Sequence, residues 1–236
     1  AFSMNEHTVY GEEAIVPARA LVPRPVDAVT GAAVWMPFLA GYAGLLEPGV
    51  LQPGDTILIT AASSGAGLAA VAIANRIGAV PIATSRSGAK AQQLLDAGAA
   101  HVIVTGEQDL ARTARELTDG RGLDVVYDAV AGPAVAEIAE AVRPGGTIVI
   151  HGWLSGEPTP YPTHTLPDLV MRSFTLFAMT RDEERLRRAA AFVAAGLRGG
   201  DFTPQVDQVF TGLDSVVEAH EHLESGGQSG KIVLTP

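Results

Sequence analysis

The run Gly54-Asp55-Thr56-Ile57-Leu58-Ile59-Thr60-Ala61-Ala62-Ser63-Ser64-Gly65-Ala66-Gly67, continued by the alanine-rich Leu68 to Ala74, constrains this chain more than any other stretch. A glycine-aspartate turn leads into a short β-forming run, then small residues, then a helix-forming segment: strand, tight turn, helix. Small residues at such a turn let a ligand's phosphates approach the backbone. The helix N-terminus supplies free N–H groups and a positive dipole end to hold them. Ala62 stands where the GxGxxG form has its first glycine, and small residues also serve strand–helix packing, so the turn satisfies both needs. A second strand signal one helix later, Ala79 to Thr84, completes a βαβ unit of dinucleotide-binding size. Ser63, Ser64, Gly65, Ala66 and Gly67 are the candidate pyrophosphate cradle.

The end of that second strand selects between two dinucleotides. An NAD site places a carboxylate about 20 residues past the glycines, on the ribose 2′-hydroxyl. Here the residues are Thr84-Ser85-Arg86-Ser87-Gly88-Ala89-Lys90, and no carboxylate comes before Asp96. Hydroxyls, a guanidinium and an ammonium bind a 2′-phosphate that a carboxylate would repel. Ser85, Arg86 and Lys90 are therefore assigned to a 2′-phosphate, and the expected cofactor is NADP(H).

Strand and helix signals alternate through the rest of the chain. Ala89 to Ala97 reads as a helix stopped by Gly98, His101 to Val104 as a third strand, Leu110 to Leu117 as an amphipathic helix and Leu123 to Asp128 as a fourth strand. Ala131-Gly132-Pro133 opens another helix, Arg143-Pro144-Gly145-Gly146 is a turn, and Thr147 to His151 is a fifth strand. Phe174 to Phe177 reads as a sixth. This alternation predicts an α/β fold with a doubly wound parallel sheet of the Rossmann type. The ends differ: a β-like Glu13 to Pro17, then a helix Asp182 to Leu197 stopped at Gly199-Gly200, a strand Gln205 to Phe210, a helix Asp214 to Leu223 and a last strand Lys231 to Leu234. They read as pieces of a second lobe.

Composition narrows the function classes. With 47% apolar and 18% charged residues the chain is globular, and a net charge of −10 argues against a nucleic-acid or anionic-membrane surface. There is no cysteine, which removes disulfides, thiolate nucleophiles and thiolate-bound zinc together. No segment reads as a signal peptide or spanning helix, and the expected location is cytoplasmic. His7, His164, His220 and His222 show no metal-ligand pattern, and no metal is expected.

The order of these signals resembles the medium-chain dehydrogenase/reductase superfamily, in its zinc-independent, quinone-oxidoreductase-like branch. The resemblance rests on Tyr10 to Pro17, Leu51 to Thr56, Ala62 to Gly67, Leu95 to Ile103, Val126-Tyr127-Asp128, Arg143 to Thr147 and Gly230 to Leu234, in collinear order along the chain. It implies NADPH-dependent hydride transfer to a quinone, enone or other activated carbonyl compound, with a small-molecule substrate bound between two lobes. It also assigns 1–26 and 201–236 to a partial, β-rich GroES-like catalytic lobe, most of whose N-terminal part is not in this sequence, and 27–200 to the Rossmann domain. Besides that missing part, one position departs from the pattern: Ala40 stands where the family usually has a threonine near the nicotinamide. The zinc-dependent branch needs a thiolate near the start of this same helix, where Met36 stands, and zinc is therefore not expected.

By the same resemblance Asp128 to Gly132, with Val130 central, lies along the cofactor ribose, and Gly152 belongs to a small-residue turn on the nicotinamide carboxamide. His151, beside it, is either a proton donor to a developing enolate or a histidine hydrogen-bonded at a strand end. The residues name no catalytic acid or base. A second function stays open: an NADP(H)-binding protein without redox turnover, either an accessory protein or a non-redox enzyme such as a cyclase. Finally, the apolar run Ser173 to Met179 is expected to form an edge strand that pairs with its copy in a homodimer, unless the helix Asp182 to Leu197 covers it within one chain.

Overall fold

In the computed structural model, which describes residues 9–163 and 168–236, the first strand, β1 (Thr56–Ile59), is buried along its whole length. Ile57 and Ile59 enter one core cluster and Leu58 another, so both faces of the strand are covered, as an uninterrupted apolar strand requires. Around it lie β2 (Val80–Ser85), β3 (His101–Val104), β4 (Leu123–Asp128), β5 (Val142–Ile150) and β6 (Val170–Ser173). All neighbours are parallel, in the order β3-β2-β1-β4-β5-β6. The doubly wound sheet expected from the sequence is thus present. The strand order reverses between β1 and β4, where such sheets leave a crevice at their carboxyl ends.

Helices α1 (Ala28–Gly41), α2 (Gly65–Ile77), α3 (Ala91–Asp96), α4 (Leu110–Leu117), α5 (Val135–Ala141), α6 (Leu176–Thr180), α7 (Glu183–Gly199) and α8 (Val216–Glu224) complete the architecture with β7 (Val206–Thr211) and β8 (Lys231–Thr235). Four helices begin where a side chain accepts from first-turn N–H groups: Asp27 for α1, Ser64 for α2, Asp109 for α4 and Asp182 for α7. Leu110, Ala114 and Ile138 of α4 and α5 pack on Leu58, Ile82, Ile103, Val126 and Ile148. Leu68 and Val71 of α2 cover the opposite sheet face with Tyr127 and Val149. Outside α2 lies a further layer in which Val34, Phe38 and Leu39 of α1 meet Leu186 and Val193 of α7. β7 and β8 pair with each other, and Gly230 at the start of β8 bridges to Ser64.

Several sequence expectations are corrected here. Residues Phe174 to Phe177 are not the sixth strand: that strand is Val170–Ser173, and Leu176–Thr180 is helical. Phe174 points inward, toward Gly44 and Tyr127, and Met179 is fully buried in the α1–α7 layer, so the apolar run fills a core rather than lining an edge. The proposed edge strand Ser173 to Met179 therefore contributes only Ser173 to the sheet. Helix α7 packs on α1 and leaves β6 as the outer strand. Glu13 to Pro17 forms no strand, and Arg143 to Gly146 is extended backbone inside β5 with a register shift against β4. Helix α1 and the π-helical turn Tyr42–Leu46 that continues it together match a membrane span in length and composition, contrary to the sequence reading; the stretch is largely buried in the protein, which accounts for its apolar character.

Candidate functional site

The turn after β1 is shaped by three constraints. Thr60 Oγ1 donates to Asp128 Oδ1 at 2.6 Å and accepts from the N–H of Ala129 at 2.9 Å, tying the ends of β1 and β4 together across the switch point. Ala61 adopts a left-handed φ of 46° to turn the chain back. Ser64 Oγ then accepts from Gly67 N at 3.1 Å, starting α2. A Cβ on Gly67 would lie 2.5 Å from Ala62 Cα, so glycine there is a packing necessity between helix and loop. Gly65 has a different neighbour: its Cβ position is 2.7 Å from Lys231 Cδ and 3.5 Å from Pro37 Cγ.

Lys231 went unassigned at the sequence level, where nothing links the last strand to the turn. Its stem crosses the first turn of α2, and among the described residues its ammonium has no hydrogen-bond or ion-pair partner. Burial holds its pKa below the ordinary lysine value. A half-buried cation beside the positive end of a helix, lacking a counter-charge, fits a bound anion. Met36, Ser64, Gly65, Ala66, Gln228 and Lys231 line one cavity of about 570 Å³.

At the end of β4, Asp128 is fully buried and accepts from Thr60 Oγ1, Val130 N at 3.1 Å and Ala131 N at 2.8 Å. This carboxylate sets the loop Ala129 to Gly132, in which Ala131 takes φ 59°, ψ −154°, a conformation otherwise kept for glycine. The loop after β5 lies against it: His151 N donates to Asp128 O at 2.8 Å, and a Cβ on Gly152 would lie 2.5 Å from Ala129 O. Val130, His151 and Gly152 are thus brought to one place. The His151 ring stacks on Tyr127 with centroids 3.7 Å apart and 13° between planes. Its Nε2 and the Tyr127 hydroxyl are buried without partners among the described residues. Burial lowers the His151 pKa to about 4, with the Asp128 charge opposing, so the ring is neutral at physiological pH and holds no imidazolium proton to donate.

At the end of β2 the three residues assigned to a 2′-phosphate have different surroundings. Ser85 Oγ donates to Ser87 O at 2.8 Å and shapes the turn. Lys90 Nζ donates to Gly226 O at 3.2 Å and Gln228 O at 2.6 Å. Arg86 Nη2 is 3.3 Å from the Cβ position of Gly226, so both cations converge on the loop between α8 and β8. His222, given no role from the sequence, stands 2.7 Å from Asp207 Oδ2. His7 and His164 lie outside the described residues.

Among the described residues the donor set does not suit zinc. No cysteine exists, and among the described residues no group of three His, Asp or Glu side chains is placed to hold an ion. Met36, half-exposed on α1, offers only a thioether where the zinc-dependent branch has a thiolate.

A family model described as zinc-binding dehydrogenase matches residues 65–195. The 2-haloacrylate reductase of Burkholderia is 27% identical over 96% of this chain and 70% of its own length. Escherichia coli quinone oxidoreductase, solved in complex with NADPH, superposes with a TM-score of 0.84 at 28% identity, covering 92% of this chain and 68% of that one. A cyclopropanase, the CurF ER domain of the curacin A biosynthetic pathway, superposes equally well, with a TM-score of 0.84 at 30% identity over 94% of this chain and 67% of its own. The chain spans 62–70% of the length of the first three curated relatives it matches.

Proposed function

We propose that this chain, which belongs to the zinc-binding dehydrogenase family in its zinc-independent, quinone-oxidoreductase-like branch, is an NADPH-dependent reductase of a quinone, enone or similar activated carbonyl compound. The observation that carries the nucleotide assignment is Lys231, a cation without a counter-charge at the N-terminus of α2, beside a turn whose glycine cannot carry a side chain. When bound, NADPH supplies the hydride. The protein's part is positional: Ser63 to Gly67 and Lys231 hold the pyrophosphate, Arg86 and Lys90 the 2′-phosphate, and the loops carrying Val130 and Gly152 border the ribose and nicotinamide. With His151 neutral, the proton for the reduced product comes from solvent or the substrate lobe. We assign 1–26 and 201–236 to the partial catalytic lobe and 27–200 to the cofactor domain. We further propose a homodimer joined through β6, the outer strand of the sheet, with Val170 48% exposed.

The test is loss of NADPH absorbance with a panel of quinones and enones. Arg86→Ala should weaken NADPH binding by about 1–3 kcal/mol and leave NADH unchanged. Equal loss for both nucleotides overturns the 2′-phosphate assignment, and a sedimentation monomer at micromolar concentration overturns the dimer. Likeness to a cyclopropanase, together with Ala40 in place of threonine, favours a second reading in which NADPH binds without net redox turnover. Tight binding without consumption across the panel would select it.

A further inference from the structure

The loop Ser225 to Ser229 is held from two sides. On one side Lys90 donates to the carbonyls of Gly226 and Gln228, as described. On the other, Asp207 in β7 accepts from Ser229 N at 2.8 Å through Oδ1 and meets His222 Nε2 at 2.7 Å through Oδ2. Ser225 Oγ donates to His222 O at 2.7 Å and accepts from Gly227 N at 3.3 Å, which folds the loop onto α8. None of these partners belongs to the motifs that the sequence singles out for the nucleotide, apart from Lys90.

An ammonium has three N–H bonds. Two of those on Lys90 are committed to the loop, which fixes the direction of the third. Arg86, whose guanidinium lies beside Gly226, shares that neighbourhood. The loop also carries two buried polar atoms without partners among the described residues, Gln228 Oε1 and Ser229 Oγ, and Gln228 lines the cavity over the α2 turn. Through Gln228 the loop borders the same cavity as Ser64, Gly65 and Lys231, the residues assigned above to the pyrophosphate.

We propose that Asp207 and His222 are positioning residues for NADPH selectivity: by latching the loop Ser225 to Ser229 they hold Lys90 with one N–H free for the 2′-phosphate. The gain is preorganisation. A lysine fixed before binding loses less rotamer freedom when the phosphate arrives. The inference rests on the NADPH reading above and adds the residues that set the selectivity of that site.

The experiment measures NADPH and NADH dissociation constants by fluorescence titration for wild type, Lys90→Ala, Asp207→Ala, the double variant and His222→Gln, whose side-chain amide can replace the Nε2–H donor. Hydrogen exchange of the loop is followed in parallel, with and without adenosine 2′,5′-bisphosphate. Asp207→Ala should raise the NADPH constant about 5- to 20-fold and change NADH less than twofold; the double variant should be no worse than Lys90→Ala alone; and His222→Gln should stay near wild type. Loop exchange should speed up in Asp207→Ala, and the bisphosphate should slow exchange in wild type. Equal weakening of both nucleotides by Asp207→Ala, or additive losses in the double variant, overturns the latch, since a purely structural role would give those results. A wild type that binds NADPH and NADH equally overturns instead the cofactor reading on which the latch depends.

Discussion

Acidification should destabilise this fold through His151, and the size of the effect follows from its position. The ring is stacked on Tyr127, its Nε2 has no partner among the described residues, and burial lowers its pKa from the ordinary 6.5 to about 4. The unfolded chain therefore takes up a proton at this residue between those values while the folded chain does not. Stability is fully present above pH 6.5 and falls as the pH drops toward 4, below which both states are protonated and the loss is complete. At pH 5 the folded protein should have lost about 2 kcal/mol through this residue relative to pH 7.5. His151→Phe keeps an aromatic face on Tyr127 and removes the titration, so the other groups cancel in the comparison. Denaturant unfolding of both proteins at pH 7.5 and 5.0 measures the difference directly. The wild type should lose about 2 kcal/mol more than the variant over this interval. Losses equal to within about 0.5 kcal/mol would mean that His151 takes up its proton in the folded state as readily as in the unfolded one, and so could serve as an imidazolium donor.

Three further outcomes follow from the same crevice. Asp128→Asn turns an amide N–H₂ or a weaker acceptor toward the three donors of Thr60, Val130 and Ala131, and should cost about 2–3 kcal/mol in denaturant unfolding. Gly67→Ala places a methyl group 2.5 Å from Ala62 Cα, where only backbone movement relieves it; the variant should lose about 2–4 kcal/mol by thermal unfolding and bind NADPH more weakly by titration. Ala131→Gly relieves a backbone conformation that suits glycine, and its melting temperature should rise by an amount equivalent to about 0.5–1 kcal/mol.

The α2 turn, the alternation of strands and helices and the basic residues after β2 were legible in the sequence, because each depends on local chemistry. Ser64 caps its own helix, glycines sit where small residues are required, and the apolar run Ile57-Leu58-Ile59 marks a strand covered on both faces. The run Ser173 to Met179 reads as an edge strand because its apolar residues match several periods at once; only the layer formed by α1 and α7 shows which sides are buried. The same limit applies to Lys231, Asp207 and His222. They lie far along the chain from Gly65 and Lys90, and no spacing rule connects them. The docking of the β7–β8 pair against the start of α2 put a lysine stem over Gly65 and a loop across Lys90. Local sequence therefore determined the sheet, its crevice and the small-residue turn that opens α2. Which distant cations and carboxylates meet there was decided by tertiary packing, since charge acts through space while sequence patterns record only neighbours along the chain.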